Sequence, residues 1–178
     1  MDYRKDMIEI LRLSHRIARD KRISTHLGLT ARTFGIQAIY YAGQKDNQLE
    51  QSLEKMNANF GSFSRFIYVK NPLALVKEKK QQGYFIIHLT MYGLSLGNEL
   101  SNIKKQKKIL FVVGSEHVPS KYYHEADLNL AVTNQPHSEL SAIAIILYEL
   151  TKGKSIEYKN AKLKIQPSER GKIIYSSS

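Results

Sequence analysis

The chain has 178 residues, no cysteine and a formal net charge of +11 at pH 7. Its length suits one domain with a sizeable core, and 42% hydrophobic against 24% charged residues excludes a disordered chain. The missing cysteines exclude disulfides and thiolate metal sites, and the longest apolar run, Ala142–Tyr148, is far too short for the ~20 residues of a membrane span. The first ten residues lack the apolar run of a signal peptide, so we expect a cytoplasmic protein with no membrane partner whose positive charge binds a polyanion.

The N-terminal part of the chain combines a strand, a basic connector and a helix. Met7–Leu13 alternates weakly and predicts a strand, and Arg12–Arg22 reads as a basic loop suited to gripping phosphates. Ser24 or Thr25 is expected to cap a helix that runs to about Phe34. On that helix Arg32 falls away from the expected core face, and Gly28, one turn earlier, leaves room for another group to approach.

The remaining segments alternate between strand and helix patterns. Helices are predicted at Asn47–Phe60 and Pro72–Gln82, before Lys105, and at Leu140–Leu150, which is apolar on most faces. The predicted strands are Ala38–Tyr41, Ser64–Val69, Tyr84–Leu89, Ile109–Val113, Ala126–Val132 and Ala161–Ile165. This order predicts a single α/β domain over residues 1–178, with a mostly parallel sheet covered by helices on both faces and a polar C-terminal extension at residues 154–178.

Three consecutive predicted strands end in polar or glycine-containing loops: Thr90–Gly97, Gly114–Pro119 and Thr133–Glu139. Ligands of parallel sheets bind outside the carboxyl ends of the strands, so these loops predict one shared site. The GxGxxG and GxxxxGK[ST] motifs of dinucleotide-binding and P-loop proteins are absent. The histidines have neither HExxH spacing nor cysteine partners, so we expect no bound metal. Taken alone, Thr133–Glu139 fits a capped turn as well as a binding loop, Glu116 and His117 fit solvated loop residues, and Arg32 fits a solvent-facing arginine.

Four segments resemble one enzyme family in the same order along the chain. They are RLSHRIARDKRISTHLGLTARTFG (Arg12–Gly35), IIHLTMYG (Ile86–Gly93), VVGSEHVP (Val112–Pro119) and AVTNQPHSELSA (Ala131–Ala142), with a weaker match at KLKIQPSERGKI. The set resembles the archaeal tRNA cytidine-56 2'-O-methyltransferases of the SPOUT superfamily. This resemblance implies a C-terminal trefoil knot, tRNA as partner, and methylation of the ribose of cytidine 56 in the TΨC loop.

The resemblance also implies S-adenosyl-L-methionine as cofactor and assigns residues to its pocket. These are Leu89, Gly114, Ser115, Glu116, His117, Val118, Val132, Thr133, Asn134, Gln135, Pro136, His137, Ser138 and Glu139. Arg32 matches the catalytic arginine of the wider 2'-O-methyltransferase group, where positioning and charge stabilisation suit a guanidinium better than proton removal. His137 is a candidate for assisting proton removal. The basic residues expected to contact RNA are Arg12, Arg16, Arg19, Lys21 and Arg22.

Two departures limit how far mechanism can be borrowed from the wider group. His26 stands where that group commonly has Asn, and NQPHSE replaces an SLNVS-like segment. The apolar helix Leu140–Leu150 and the family both predict a homodimer. The alternatives are a catalytically silent RNA-binding protein on the same scaffold, or 2'-O-methylation of another tRNA or rRNA position.

Overall fold

A computed structural model describes residues 7–114 and 117–176 of the chain. Six parallel strands form one sheet in the order β3-β2-β1-β5-β4-β6: β1 Met7–His15, β2 Ala38–Gly43, β3 Arg65–Tyr68, β4 Phe85–Ser95, β5 Lys108–Val113 and β6 Leu128–Ala131. The helices between and after them are α1 Ile17–Thr33, α2 Asn47–Phe60, α3 Pro72–Gln81, α4 Leu96–Ile103, α5 Ser120–Glu125 and α6 Glu139–Thr151. The predicted α/β class and the mostly parallel sheet are confirmed.

Alternating residues of β1 enter two separate cores, which is why the sheet is covered on both faces. Ile8 and Ile10 pack into the larger core with residues of α1, α2, α4 and α6, while Leu11 and Leu13 pack with Val76 of α3 and a tyrosine of α5. Successive side chains of a strand point to opposite faces, so a run that is apolar at every position requires both layers. The helices on both faces follow from that pattern.

The basic segment after β1 is helical and does not form the predicted loop. Helix α1 begins at Ile17, about two turns before the predicted caps at Ser24 and Thr25, and Ser24 is buried within it. The side chain of Arg16 pairs with Asp20 at 2.9 Å across the first turn, the i,i+4 spacing at which opposite charges stabilise a helix. Gly28 is also buried, and an added Cβ would lie 2.6 Å from the ring of Phe66 in β3. The group that approaches Gly28 is therefore a core side chain.

The strand β4 is longer than predicted and irregular, because it continues through the segment expected to be a loop. Its pairing with β6 passes from Leu89↔Leu130 to Leu94↔Leu130, so residues 90–93 bulge away from the ladder. An added Cβ at Gly93 would lie 2.5 Å from the backbone of Asn129, and only glycine permits that approach. The short helix α5 between β5 and β6 was not predicted.

The C-terminal extension forms a two-stranded antiparallel sheet of β7 Leu163–Gln166 and β8 Ile173–Ser176. The first of these strands was predicted at Ala161–Ile165, and the second was not predicted. Backbone hydrogen bonds from Ile156 to Thr33 and from Lys162 to Asn59, both 2.9 Å, dock the extension on the ends of α1 and α2. None of the described helices is long and apolar enough to cross a membrane.

Candidate functional site

A cavity of about 240 Å³ lies where the ends of β4, β5 and β6 meet. Each of the three loops predicted to converge contributes to it, with Tyr92 from the first, Gly114 from the second and His137 from the third. The amide of Asn134 joins two of these loops by donating to the backbone oxygens of Met91 at 2.7 Å and Gly93 at 3.1 Å. The three loops therefore meet as predicted, and their binding of a ligand stays a prediction.

The cavity walls are mainly apolar and come from both faces of the sheet. Leu89 and Leu130 belong to the core on the face covered by α6, whereas Val118 packs against the core on the opposite face. An added Cβ at Gly114 would overlap the side chain of Val118, so the close contact between these two cavity residues requires glycine at position 114. Apolar walls with a few placed polar groups are typical of a small-molecule site.

Helix α6 starts at the mouth of the cavity and carries its acidic side chain. Ser138 caps the helix by accepting a hydrogen bond from the backbone N–H of Ser141 at 3.1 Å, and Glu139 follows in the first turn. Nη2 of Arg12 donates to Oε1 of Glu139 at 2.8 Å. The Arg12 side chain is 0% exposed and that of Glu139 is 16% exposed, so a buried guanidinium holds the carboxylate in place.

A buried polar cluster closes the end of the cavity on β4. Nδ1 of His88 lies 2.9 Å from Oδ1 of Asn129 on the neighbouring strand, and Nδ2 of Asn129 donates to the backbone oxygen of Tyr123 at 2.9 Å. The Tyr123 ring packs edge-on against His88, with 4.5 Å between centroids, and its hydroxyl lies 3.2 Å from Oγ1 of Thr90. Burial lowers the pKa of His88, so its imidazole is neutral near pH 7.

The predicted cofactor residues divide into three groups. Those that line the cavity are Leu89, Gly114, Val118, Val132, His137 and Glu139. Those that lie on the loops around it without lining it are His117, Thr133, Asn134, Gln135, Pro136 and Ser138. Ser115 and Glu116 lie outside the described residues.

The predicted RNA-binding residues also divide, and one assignment is wrong. Arg12 cannot grip a phosphate as predicted, because its side chain is fully buried in the sheet and paired with Glu139. Arg19, Lys21 and Arg22 are exposed on the first two turns of α1, where they line a shallow groove of about 420 Å³, and Arg16 is half-buried beside Asp20. Because β1 ends where α1 begins, this basic surface lies at the same sheet edge as the cavity.

The structure places Arg32 away from the cavity and does not leave it pointing to solvent. Helix α1 runs back from the carboxyl edge of the sheet, so Arg32, in its last turn, lies toward the opposite edge. Arg32 is 8% exposed, and its guanidinium donates to the backbone oxygens of Phe60 and Gly61 at 3.1 and 2.6 Å, at the C-terminal end of α2. Burial lowers the pKa of Arg32, but a guanidinium remains charged in proteins, and here it compensates the carbonyl groups at a helix C-terminus.

Sequence reasoning placed Thr90 in one of the converging loops but did not assign His88 or Tyr123 to the cavity. His88 was weighed only as a metal ligand, although a histidine inside an apolar strand signals a buried polar group that needs partners. Tyr123 carried no local signal, because its helix α5 was not recognised.

The chain is similar to known RNA-modifying proteins over most of its length. Residues 60–175 match the family model described as tRNA ribose 2'-O-methyltransferase, aTrm56. The tRNA (cytidine(56)-2'-O)-methyltransferase of Sulfurisphaera tokodaii is 44% identical over 166 residues, covering 91% of this chain and 98% of that protein. The enzyme of the same name from Methanocaldococcus jannaschii is 42% identical over 173 residues, covering 94% and 96%.

Among solved structures, the SpoU methyltransferase AviRb from Streptomyces viridochromogenes, in complex with the cofactor AdoMet, has a similar fold. It superposes with a TM-score of 0.61 at 16% identity, covering 83% of this chain and 58% of that one. At this identity the likeness concerns the fold alone.

Proposed function

The chain belongs to the tRNA ribose 2'-O-methyltransferase family, and on that premise we propose that it methylates the ribose 2'-hydroxyl of cytidine 56 in tRNA, with S-adenosylmethionine as donor. The observation that carries the proposal is the 42–44% identity to enzymes of that specificity over nearly their whole length. The fold is that of the SPOUT methyltransferases. The trefoil knot stays a prediction from the resemblance.

The described residues of the cavity fit the proposed cofactor. S-adenosylmethionine supplies an electrophilic methyl group when it is bound. Leu89, Leu130 and Val132 offer apolar walls for a flat ring, and Gly114 allows close approach of the backbone. His88 lines the cavity, and its buried Nε2 has no hydrogen-bond partner within residues 7–114 and 117–176. A flat, mainly apolar ring that carries a hydrogen-bond donor on its edge would fit both the apolar walls and the unpaired Nε2 of His88.

The basic surface of α1 supports tRNA as the partner. Arg19, Lys21 and Arg22 stand at the sheet edge where the cavity opens, so RNA held there places its ribose near the donor site. The net charge of +11 acts in the same direction by attracting a polyanion. His137, exposed at the cavity mouth with its Nδ1 3.2 Å from the backbone oxygen of Ser138, is placed to take part in proton transfer at the hydroxyl.

A catalytic role for Arg32 rests on its motif and requires a second copy of the chain. Within one subunit its guanidinium is held at the end of α2, so it reaches a ribose only if another subunit brings it to the cavity. We expect Arg32→Ala to abolish methyl transfer while leaving S-adenosylhomocysteine affinity intact. Tyr158→Phe is the matched control, since the Tyr158 hydroxyl donates to the backbone oxygen of Arg32 from the other side. An equal loss in both variants assigns Arg32 a structural role.

The homodimer is supported by an uncovered apolar stripe on α6. Ile145 and Tyr148 are 43% and 58% exposed, one turn apart on a helix whose other face is buried. Sedimentation velocity tests the proposal. Ile145→Lys with Tyr148→Glu is expected to give monomers, whereas Ile165→Lys, at a 66% exposed position of β7, leaves the dimer intact. A monomeric wild-type chain rejects the dimer.

The enzymatic proposal is tested by methyl transfer from labelled S-adenosylmethionine to unmodified tRNA. Label is expected in the wild-type transcript and is expected to be absent both from a transcript with C56 replaced and from one with 2'-deoxycytidine at position 56. Label that survives either replacement refutes the assigned position. Binding of tRNA without binding of S-adenosylmethionine favours a catalytically silent RNA-binding protein.

A further inference from the structure

The hydrogen bonds around His88 determine which of its ring nitrogens carries the proton. Nδ2 of Asn129 donates to the backbone oxygen of Tyr123, so Oδ1 is the atom that faces His88. An amide oxygen only accepts, and Nδ1 must therefore be the protonated nitrogen. Nε2 is left with a lone pair and can act only as an acceptor.

That acceptor is buried and lacks a donor within the described chain. His88 is 1% exposed, and Nε2 has no hydrogen-bond partner among residues 7–114 and 117–176. The nearby Tyr123 hydroxyl pairs with Thr90. Since His88 lines the 240 Å³ cavity and an unsatisfied buried acceptor is unfavourable, a bound ligand is the natural source of the missing donor.

The surroundings of Nε2 favour a neutral donor on a flat ring. Leu89, Leu130 and Ala142 are apolar cavity walls, and the tyrosine ring stands edge-on beside the imidazole. A cationic ammonium would lose its hydration here without meeting a negative charge, because the cavity carboxylate Glu139 is already paired with Arg12. An aromatic ring with an exocyclic amino group suits both the walls and the lone pair.

We propose that His88 recognises the adenine of the methyl donor, its Nε2 accepting a hydrogen bond from the exocyclic amino group. This inference rests on the proposed function and names the residue that selects the purine. Hypoxanthine has an oxygen in place of that amino group, so two acceptors face each other and binding weakens. The lowered pKa of His88 agrees with this role, because a protonated Nε2 would be a second donor.

The test is isothermal titration calorimetry with S-adenosylhomocysteine and S-inosylhomocysteine, which bind without turnover. The wild-type protein is expected to prefer the adenosyl compound by about tenfold or more, the effect of one buried hydrogen bond. His88→Leu removes the acceptor and is expected to abolish the preference, because adenosyl binding loses a hydrogen bond and inosyl binding no longer meets an opposing acceptor. His88→Gln retains an acceptor oxygen and is expected to keep part of the preference.

His124→Leu is the matched control, because it removes an exposed imidazole on α5 that does not line the cavity. This variant is expected to show the wild-type preference. An unchanged preference in His88→Leu, or equal weakening of both compounds, overturns the inference and leaves the methyltransferase proposal standing. A wild-type protein that binds neither compound overturns the methyltransferase proposal and the inference together.

Discussion

Removing the carboxylate of Glu139 is expected to destabilise the fold more than removing its partner Arg12. The Arg12 side chain is 0% exposed, and its Nε and Nη1 have no hydrogen-bond partner among the described residues. Without Glu139, Nη2 also loses its acceptor. An uncompensated buried charge costs about 3–5 kcal/mol. Although burial acts to raise the pKa of Asp20, that pKa lies below its usual value because Arg16 donates to the carboxylate and the charge of Arg12 is near. Because the Asp20 carboxylate is a second negative charge near Arg12, the expected cost of Glu139→Ala lies near the lower end of that range, at about 3 kcal/mol.

The opposite substitution leaves a carboxylate that can still reach water. Glu139 is 16% exposed at the cavity mouth, so Arg12→Met is expected to cost about 1–2 kcal/mol. The double variant Arg12→Met/Glu139→Ala contains neither charge, and its loss should fall below the sum of the single losses by roughly 2 kcal/mol. Glu139→Gln, which keeps an acceptor oxygen, is expected to lie between wild type and Glu139→Ala.

Urea unfolding followed by far-UV circular dichroism measures these differences. All variants are compared at one protein concentration, because a dimer would make the apparent stability concentration-dependent. A cost under about 1 kcal/mol for Glu139→Ala, or two single losses that add within error in the double variant, would rule out a buried charge that depends on Glu139.

Three further outcomes follow from the same geometry. Gly114→Ala is expected to weaken S-adenosylhomocysteine binding at least tenfold by constricting the cavity, whereas Gly97→Ala, whose nearest contact would be 3.7 Å away, leaves calorimetric affinity unchanged. Replacing the exposed Arg19 and Arg22 by Gln is expected to reduce the slope of log tRNA affinity against log salt by about two; an unchanged slope places the RNA elsewhere. Burial and then the nearby charge of Arg12 lower the pKa of His15. The unfolded chain therefore binds the proton first, and the free energy of unfolding should fall as pH drops below about 6.5. A His15→Gln variant with the same pH dependence would contradict this assignment.

Local sequence patterns predict the bounds of a helix correctly when the residues at its two ends cap it. Helix α2 has its predicted bounds, Asn47–Phe60, and local groups account for both ends: Asp46 accepts from the backbone N–H groups of Gln48 and Leu49, and Gly61 follows the last turn. The start of α1 was missed because its first turns present charges instead of an apolar face. The Arg16–Asp20 spacing was the signal available there.

The alternation of strands and helices, the convergence of three polar loops at one end of the sheet, and the family could all be predicted from the amino-acid sequence. These depend on period, turn residues and motifs that lie within a few residues of one another. Three roles became visible only in the folded chain: Arg12 supports a carboxylate 127 residues away, Arg32 holds the end of α2, and His88 leaves its buried Nε2 without a partner among the described residues. The physical reason is that burial and hydrogen-bond partners are set by elements distant in the chain, so a charge or an imidazole acquires its role only when the fold determines what surrounds it.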